Sequence, residues 1–121
     1  MARFYRSKPK PYLLFSTAVS RKEAQKIAQV LVHKRLAACV NIIPNIVSVY
    51  RWQGKTERAK EYLLVMKTEA RKLKRLKQAL IQNHSYSVPE LIGWPIAWGH
   101  EPYLKWLSEA VIVDDSENVK S

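Results

Sequence analysis

A chain of 121 residues has room for one domain. Its 21 Lys and Arg against 10 Asp and Glu give a formal charge of +11, while 47% hydrophobic and 26% charged residues are globular proportions rather than those of a disordered chain. A single cysteine excludes an internal disulfide framework and any multi-cysteine zinc site within one chain. No apolar run approaches the roughly 20 residues that a bilayer-spanning helix needs.

Residues 1–10 carry Arg3, Arg6, Lys8 and Lys10 and no acid, and no apolar h-region of about 7–15 residues follows. They read as a basic tail. Pro11 to Ala18 is a short apolar run without helical period, which predicts a buried strand. Ser20 opens a helix, with its hydroxyl capping the first free amides and Glu23 completing a capping box. Ala24, Ile27, Ala28, Leu31 and Val32 then recur at helical spacing. Ala38 to Ile43 and Ile46 to Trp52 read as extended. Pro44, which cannot donate a ladder hydrogen bond, demands a bulge or bend between them. Gln53-Gly54-Lys55 supplies a turn, with glycine where positive φ is required, and Glu61 to Thr68 returns as the partner strand. Ala70 to His84 is a second helix with Leu73, Leu76, Leu80 and Ile81 on one face. Ser87 to Ile96, broken by Pro89 and Pro95, fits an edge strand or a strand end. Pro102 to Val113 is a third helix anchored by Tyr103, Leu104, Trp106 and Leu107, and residues 114–121 form a polar tail. One domain therefore covers residues 11–113.

Strand, helix, strand, strand, helix, strand and a closing helix make the split βαβ pattern of an α+β, ferredoxin-like βαββαβ fold with an additional C-terminal helix. Two main helices cover one face of its sheet. The strands are nevertheless apolar on both faces: Tyr62, Leu64 and Met66 alternate with Leu63 and Val65, and Ile46, Tyr50 and Trp52 with Val47 and Val49. A sheet wet on one side alternates apolar with polar. The second face is therefore expected to be covered by other copies of the chain.

Several strings then become recognisable. Lys34-Arg35-Leu36-Ala37-Ala38-Cys39-Val40-Asn41-Ile42-Ile43-Pro44 resembles the signature of the CutA divalent-cation tolerance family. Tyr50 to Lys55 resembles its hairpin, Met66-Lys67-Thr68 the following strand, His84 to Glu90 the motif before the last strand, and Pro102 to Trp106 the closing helix. The likeness is ordered and runs over about residues 11–110. It implies a homotrimer whose sheets pack together as in the nitrogen-regulatory PII proteins, and a connection to copper and other divalent cations without a settled reaction. The chain departs from the family pattern at Ser16, Asn83, Ser85 and Ser87, and its hairpin return, Thr56 to Lys60, is more basic. Each change removes a candidate cation ligand or adds positive charge.

Soft transition ions need imidazole or thiolate ligands. His33, His84, His100 and Cys39 are available, and no two stand a helical turn or a CxxC interval apart. His84, at a helix end beside Tyr86 and Glu90, is the candidate metal ligand, against the alternative of a polar histidine favoured there by the helix dipole. Cys39, within an apolar strand, reads as a small core residue. Lys67, Tyr86 and Glu90 can converge in a cleft between subunits, with His84, Cys39 and Asn41 as further candidates for its lining. Tyr50, Trp52, Gly54 and Tyr62 are the candidate hairpin and subunit contacts. Arg71 to Lys77 places five basic residues in seven. Phosphate binding needs such clusters, but no RNP-type aromatic string accompanies this one, which favours a solvated helix face. No glycine-rich phosphate loop, G-x-S-x-G elbow or H-E-x-x-H motif is present, so no enzyme is expected.

The expected protein is a cytoplasmic homotrimer of CutA-like character, with a binding or signalling role in the response to divalent ions and no membrane span. The alternatives are a basic nucleic-acid-associated module and a metabolite-binding regulator that uses the cleft between subunits.

Overall fold

The computed structural model describes residues 9–112, so the basic tail, except for Pro9 and Lys10, and the polar tail at 114–121 lie outside the described residues. Its elements are β1 (Pro11–Ala18), α1 (Arg21–His33), β2 (Cys39–Trp52), β3 (Lys55–Glu69), α2 (Leu73–Gln82, preceded by a 3-10 turn at Ala70–Lys72), β4 (Ile92–Pro95) and α3 (Glu101–Ala110). The four strands form one sheet in the order β2-β3-β1-β4, antiparallel at every pairing.

Local chemistry sets the boundaries. The Ser20 hydroxyl accepts from the Glu23 amide (3.1 Å) to start α1. The helix ends with Leu36 N–H donating to the Leu31 carbonyl and Arg35 N–H to that of Val32, a Schellman closure in which Arg35 takes φ 59° where glycine is usual. The Arg35 guanidinium in turn donates to the Ala110 carbonyl (3.2 Å), tying this turn to α3. Pro44 does not divide β2 in two. It sits in a bulge where the register against β3 shifts between Ile43 and Ile46, with Asn45 at φ 62°.

Along β1 and β3, Leu14, Ala18, Leu64 and Met66 pack against Ile27, Leu31, Leu76 and Leu80 of the two long helices. The other face is only partly bare. α3 docks on β1 and β3, burying Leu107 and Val111 against Ala38 and bringing Tyr103 beneath Lys67. A portion of the second cover therefore comes from the chain itself and not from other copies. The long β2–β3 hairpin and β4 remain open, exposing Val47, Trp52, Ile92 and Trp94.

Candidate functional site

Where α2 ends, Asn83 donates its side-chain amide to the Ala79 carbonyl (2.8 Å), and the chain turns back over β1. This turn delivers the His84 ring, wholly buried, to the Thr17 carbonyl at 2.7 Å from Nε2. A carbonyl only accepts, so its partners assign the proton to Nε2. Nδ1 then accepts from the Tyr86 backbone N–H (3.1 Å). Glu23 approaches from α1: Oε1 accepts from Ser85 N–H (3.2 Å), while the buried Oε2 lies 3.5 Å from Nδ1 with no donor among the described residues. The loop is thus pinned to both β1 and α1, and Tyr86 stacks at a tilt on His84 with centroids 4.9 Å apart.

Tyr86 is thereby aimed at Glu61. Its hydroxyl donates to Glu61 Oε2 at 2.6 Å, and Glu61 is only 6% exposed. Together with Thr17 they floor a cavity of about 610 Å³, walled by Tyr50 and Trp52 of the hairpin and by Val88 of the loop. Glu90 stands at the rim, its carbonyl accepting from the buried Ser16 hydroxyl (2.6 Å). Burial and then the bond to Glu61 hold the Tyr86 phenol far above its ordinary value, so it stays a neutral donor. Partial burial and then the Glu61 charge hold the Glu90 carboxyl above the usual carboxylate range. No Lys, Arg or His among the described residues lines the cavity.

A second cluster lies at the other end of the sheet. Asn41 Oδ1 accepts from Lys67 Nζ (3.0 Å) and lies 3.7 Å from Cys39 Sγ, while Lys67 Nζ sits 5.9 Å from the centre of the Tyr103 ring. The strand brings Cys39, Asn41 and Lys67 together, but it separates Lys67 from Tyr86 and Glu90. Lys67 lies six positions along β3 from Glu61, roughly 20 Å of extended chain. Within one chain Lys67 therefore stands apart from Tyr86 and Glu90, and the convergence expected between subunits would need Lys67 from another copy.

The donors of one chain do not fit a resident transition ion. Both ring nitrogens of His84 are committed, and an ammonium already occupies the oxygen beside Cys39. His33 and His100 stand exposed at the end of α1 and the start of α3, and no group of three His, Cys, Asp or Glu converges among the described residues. The basic run after β3 is not one surface either. Lys72 is buried and Arg71 is paired with Glu69 (2.8 Å), which breaks the stripe a polyanion would follow.

Of the expected contacts, Tyr50 and Trp52 border the cavity and Gly54 closes the hairpin at φ 80°. Tyr62 packs against the helix-covered core, with the Arg21 guanidinium 5.9 Å from its ring centre. Sequence reasoning does not single out Glu61 or Thr17. The available signal for Glu61 is an acid set directly against the apolar Tyr62-Leu63-Leu64-Val65-Met66 run.

An antiparallel β2-β3-β1-β4 sheet with α1 and α2 on one face defines the ferredoxin-like α+β class. Within that class, the model of the CutA1 divalent ion tolerance protein family matches residues 12–110, and the chain belongs to that family. It is 46% identical over 93 residues to the divalent-cation tolerance protein CutA of Thermus thermophilus, covering 77% of this chain and 90% of that protein. It is 43% identical over 98 residues to the chloroplastic protein CutA of Arabidopsis thaliana, covering 81% of this chain but only 54% of the plant protein. The crystal structure of CutA from Xylella fastidiosa matches with a TM-score of 0.82 at 40% identity, covering 84% of this chain and 98% of that one.

Proposed function

We propose that the chain is a divalent-cation tolerance protein that works as a homotrimer with PII-like packing of its sheets. It answers to copper or another divalent ion by binding and signalling, without a reaction of its own. The observation that carries the assembly is the apolar surface of the hairpin and β4, where Val47 and Trp52 are each 53% exposed and Ile92 and Trp94 are similarly bare. Single exposed apolar residues are ordinary, but bare apolar residues on both edge strands of one sheet, β2 and β4, mark edges through which copies can pair. Family membership supports the ion response. Because one chain does not gather a ligand set, the ion is met by donors pooled from neighbouring copies. The proposed compartment is the cytoplasm, where the free Cys39 stays reduced; no described helix is long and apolar enough to cross a membrane.

Native mass measurement tests the assembly, with three times the 14.1 kDa chain as the expected result. Calorimetric titration of that particle with Cu and Zn tests the response. Saturable heat supports it, and heat no greater than a nonspecific control removes direct ion binding.

A further inference from the structure

Positive charge is gathered on the helix-covered face of the molecule. Segments 20–35 and 70–84, which hold α1 and α2, carry ten of the 21 Lys and Arg and a single acid, Glu23. Eight of the ten are exposed, and of these Arg71 is paired with the buried Glu69, while Glu23 turns inward to the Ser85 N–H. The exposed acids among the described residues, Glu90, Glu101 and Glu109, stand on the loop after α2 and on α3. A solvated helix face ordinarily interleaves the two signs, which pair at i and i+4. This one exposes positive charge alone. In α1, Lys22, Lys26 and His33 are exposed opposite the buried Ala24, Ile27 and Leu31. In α2, Lys74, Lys77 and Ile81 are exposed at i, i+3 and i+7, with Ile81 45% bare, while Leu76, Ala79 and Leu80 are buried.

We propose that the layer formed by α1 and α2 is a docking face for a surface of anionic phospholipid. Neither helix carries Phe, Tyr or Trp, the rings on which single-stranded nucleic acid stacks and which anchor protein interfaces. The bases named above are lysines, a residue type depleted at protein interfaces. A nucleic-acid duplex would need the continuous stripe that the burial of Lys72 and the Arg71–Glu69 pair interrupt. A bilayer surface is broad and fluid, so its headgroups redistribute to meet the charges wherever they stand. The apolar stripes of both helices are taken by the core, so the helices do not insert; charge carries the adsorption, and Ile81 adds a small apolar contact. The contacts between copies proposed above use the hairpin and β4 and leave this layer free.

The test is co-sedimentation of the full chain, in whatever assembly it adopts, with vesicles of phosphatidylcholine alone or with about 30% phosphatidylserine, in about 0.1 M NaCl. Sedimentation with the anionic vesicles alone is expected, and release at about 0.5 M NaCl, where charge reaches only a few ångströms. Each base near such a surface strengthens adsorption about fivefold. The double variant Lys26→Glu, Lys77→Glu should therefore bind at least tenfold more weakly, with native mass and circular dichroism unchanged. Lys26→Gln with Lys77→Gln should weaken binding several-fold and keeps the test decisive if the reversal does not fold. Lys105→Glu, an equal change of net charge on exposed α3, should matter less than Lys77→Glu. The proposal is overturned if neither vesicle binds, if both bind equally, or if the helix variants bind as the parent does. It is equally overturned if Lys105→Glu weakens binding as much as Lys77→Glu, or if duplex DNA or poly-glutamate of matched charge displaces the vesicles. A negative copper titration would leave every one of these outcomes unaffected.

Discussion

Glu90 and Glu61 face one cavity from its rim and its floor, so the ionisation of Glu90 opposes a charge already buried beneath it. Its carboxyl is held above the ordinary 4.5 by burial first and by Glu61 second. A carboxyl whose folded-state pKa is raised contributes stability that is complete below its unfolded value and is lost as the pH rises through the raised one. Glu90→Gln should therefore be slightly more stable than the parent at pH 7, by less than about 1 kcal/mol because an exposed carboxyl is screened. That advantage should vanish near pH 4. Urea midpoints of the two proteins across this range provide the measurement, and a difference independent of pH would refute the account. At this scale the sequence is legible in part. His84, Tyr86 and Glu90 stand out because they follow a helix in a short polar loop. Glu61 does not, since alternation along a strand says which face a side chain takes and not what leans over that face from residues 84–90.

The elements divide by how local their causes are. α1 is readable from Ser20, Glu23 and the apolar stripe, all within one helix. The bulge at Pro44 is readable from a missing donor. The expected strand at Ser87 to Ile96 contracts to Ile92–Pro95 because residues 84–90 are taken by bonds to β1 and α1, which are distant in sequence. The second helix begins at Leu73 and not Ala70, since no side chain caps it and the first residues wind as a 3-10 turn. The hairpin tip carries its own test. Trp52 pairs with Lys55 across a two-residue loop in which Gln53 (φ 50°) and Gly54 (φ 80°) are both left-handed. A methyl group at Gly54 would meet nothing within 4 Å, so its cost is conformational alone. Gly54→Ala should destabilise the fold by about 1 kcal/mol, read as a lower urea midpoint with unchanged slope. A neutral result would mean that the tip relaxes to another turn.

For the molecule as a whole, sequence alternation reports that both faces of the sheet want cover, but it does not say who supplies it. α3 supplies some, through Leu107 and Val111, because the chain after β4 doubles back onto β1 and β3. The hairpin extends beyond that reach. Val47 stands outside the cavity lining and outside the core, so a lysine there leaves both intact, and within the chain it adds only the repulsion of Lys60, its cross-strand partner. If copies assemble through the hairpin, Val47→Lys places a desolvated ammonium in the contact and adds one like charge per copy to an already basic molecule, which costs several kcal/mol at a buried site. The variant should lose the threefold mass and sediment at 14.1 kDa, with the circular dichroism of a folded α+β chain, or persist only at much higher concentration. Retention of the parent's assembly at micromolar concentration would show that the hairpin is not the surface through which copies meet, and the exposed residues of β4 would become the next surface to charge.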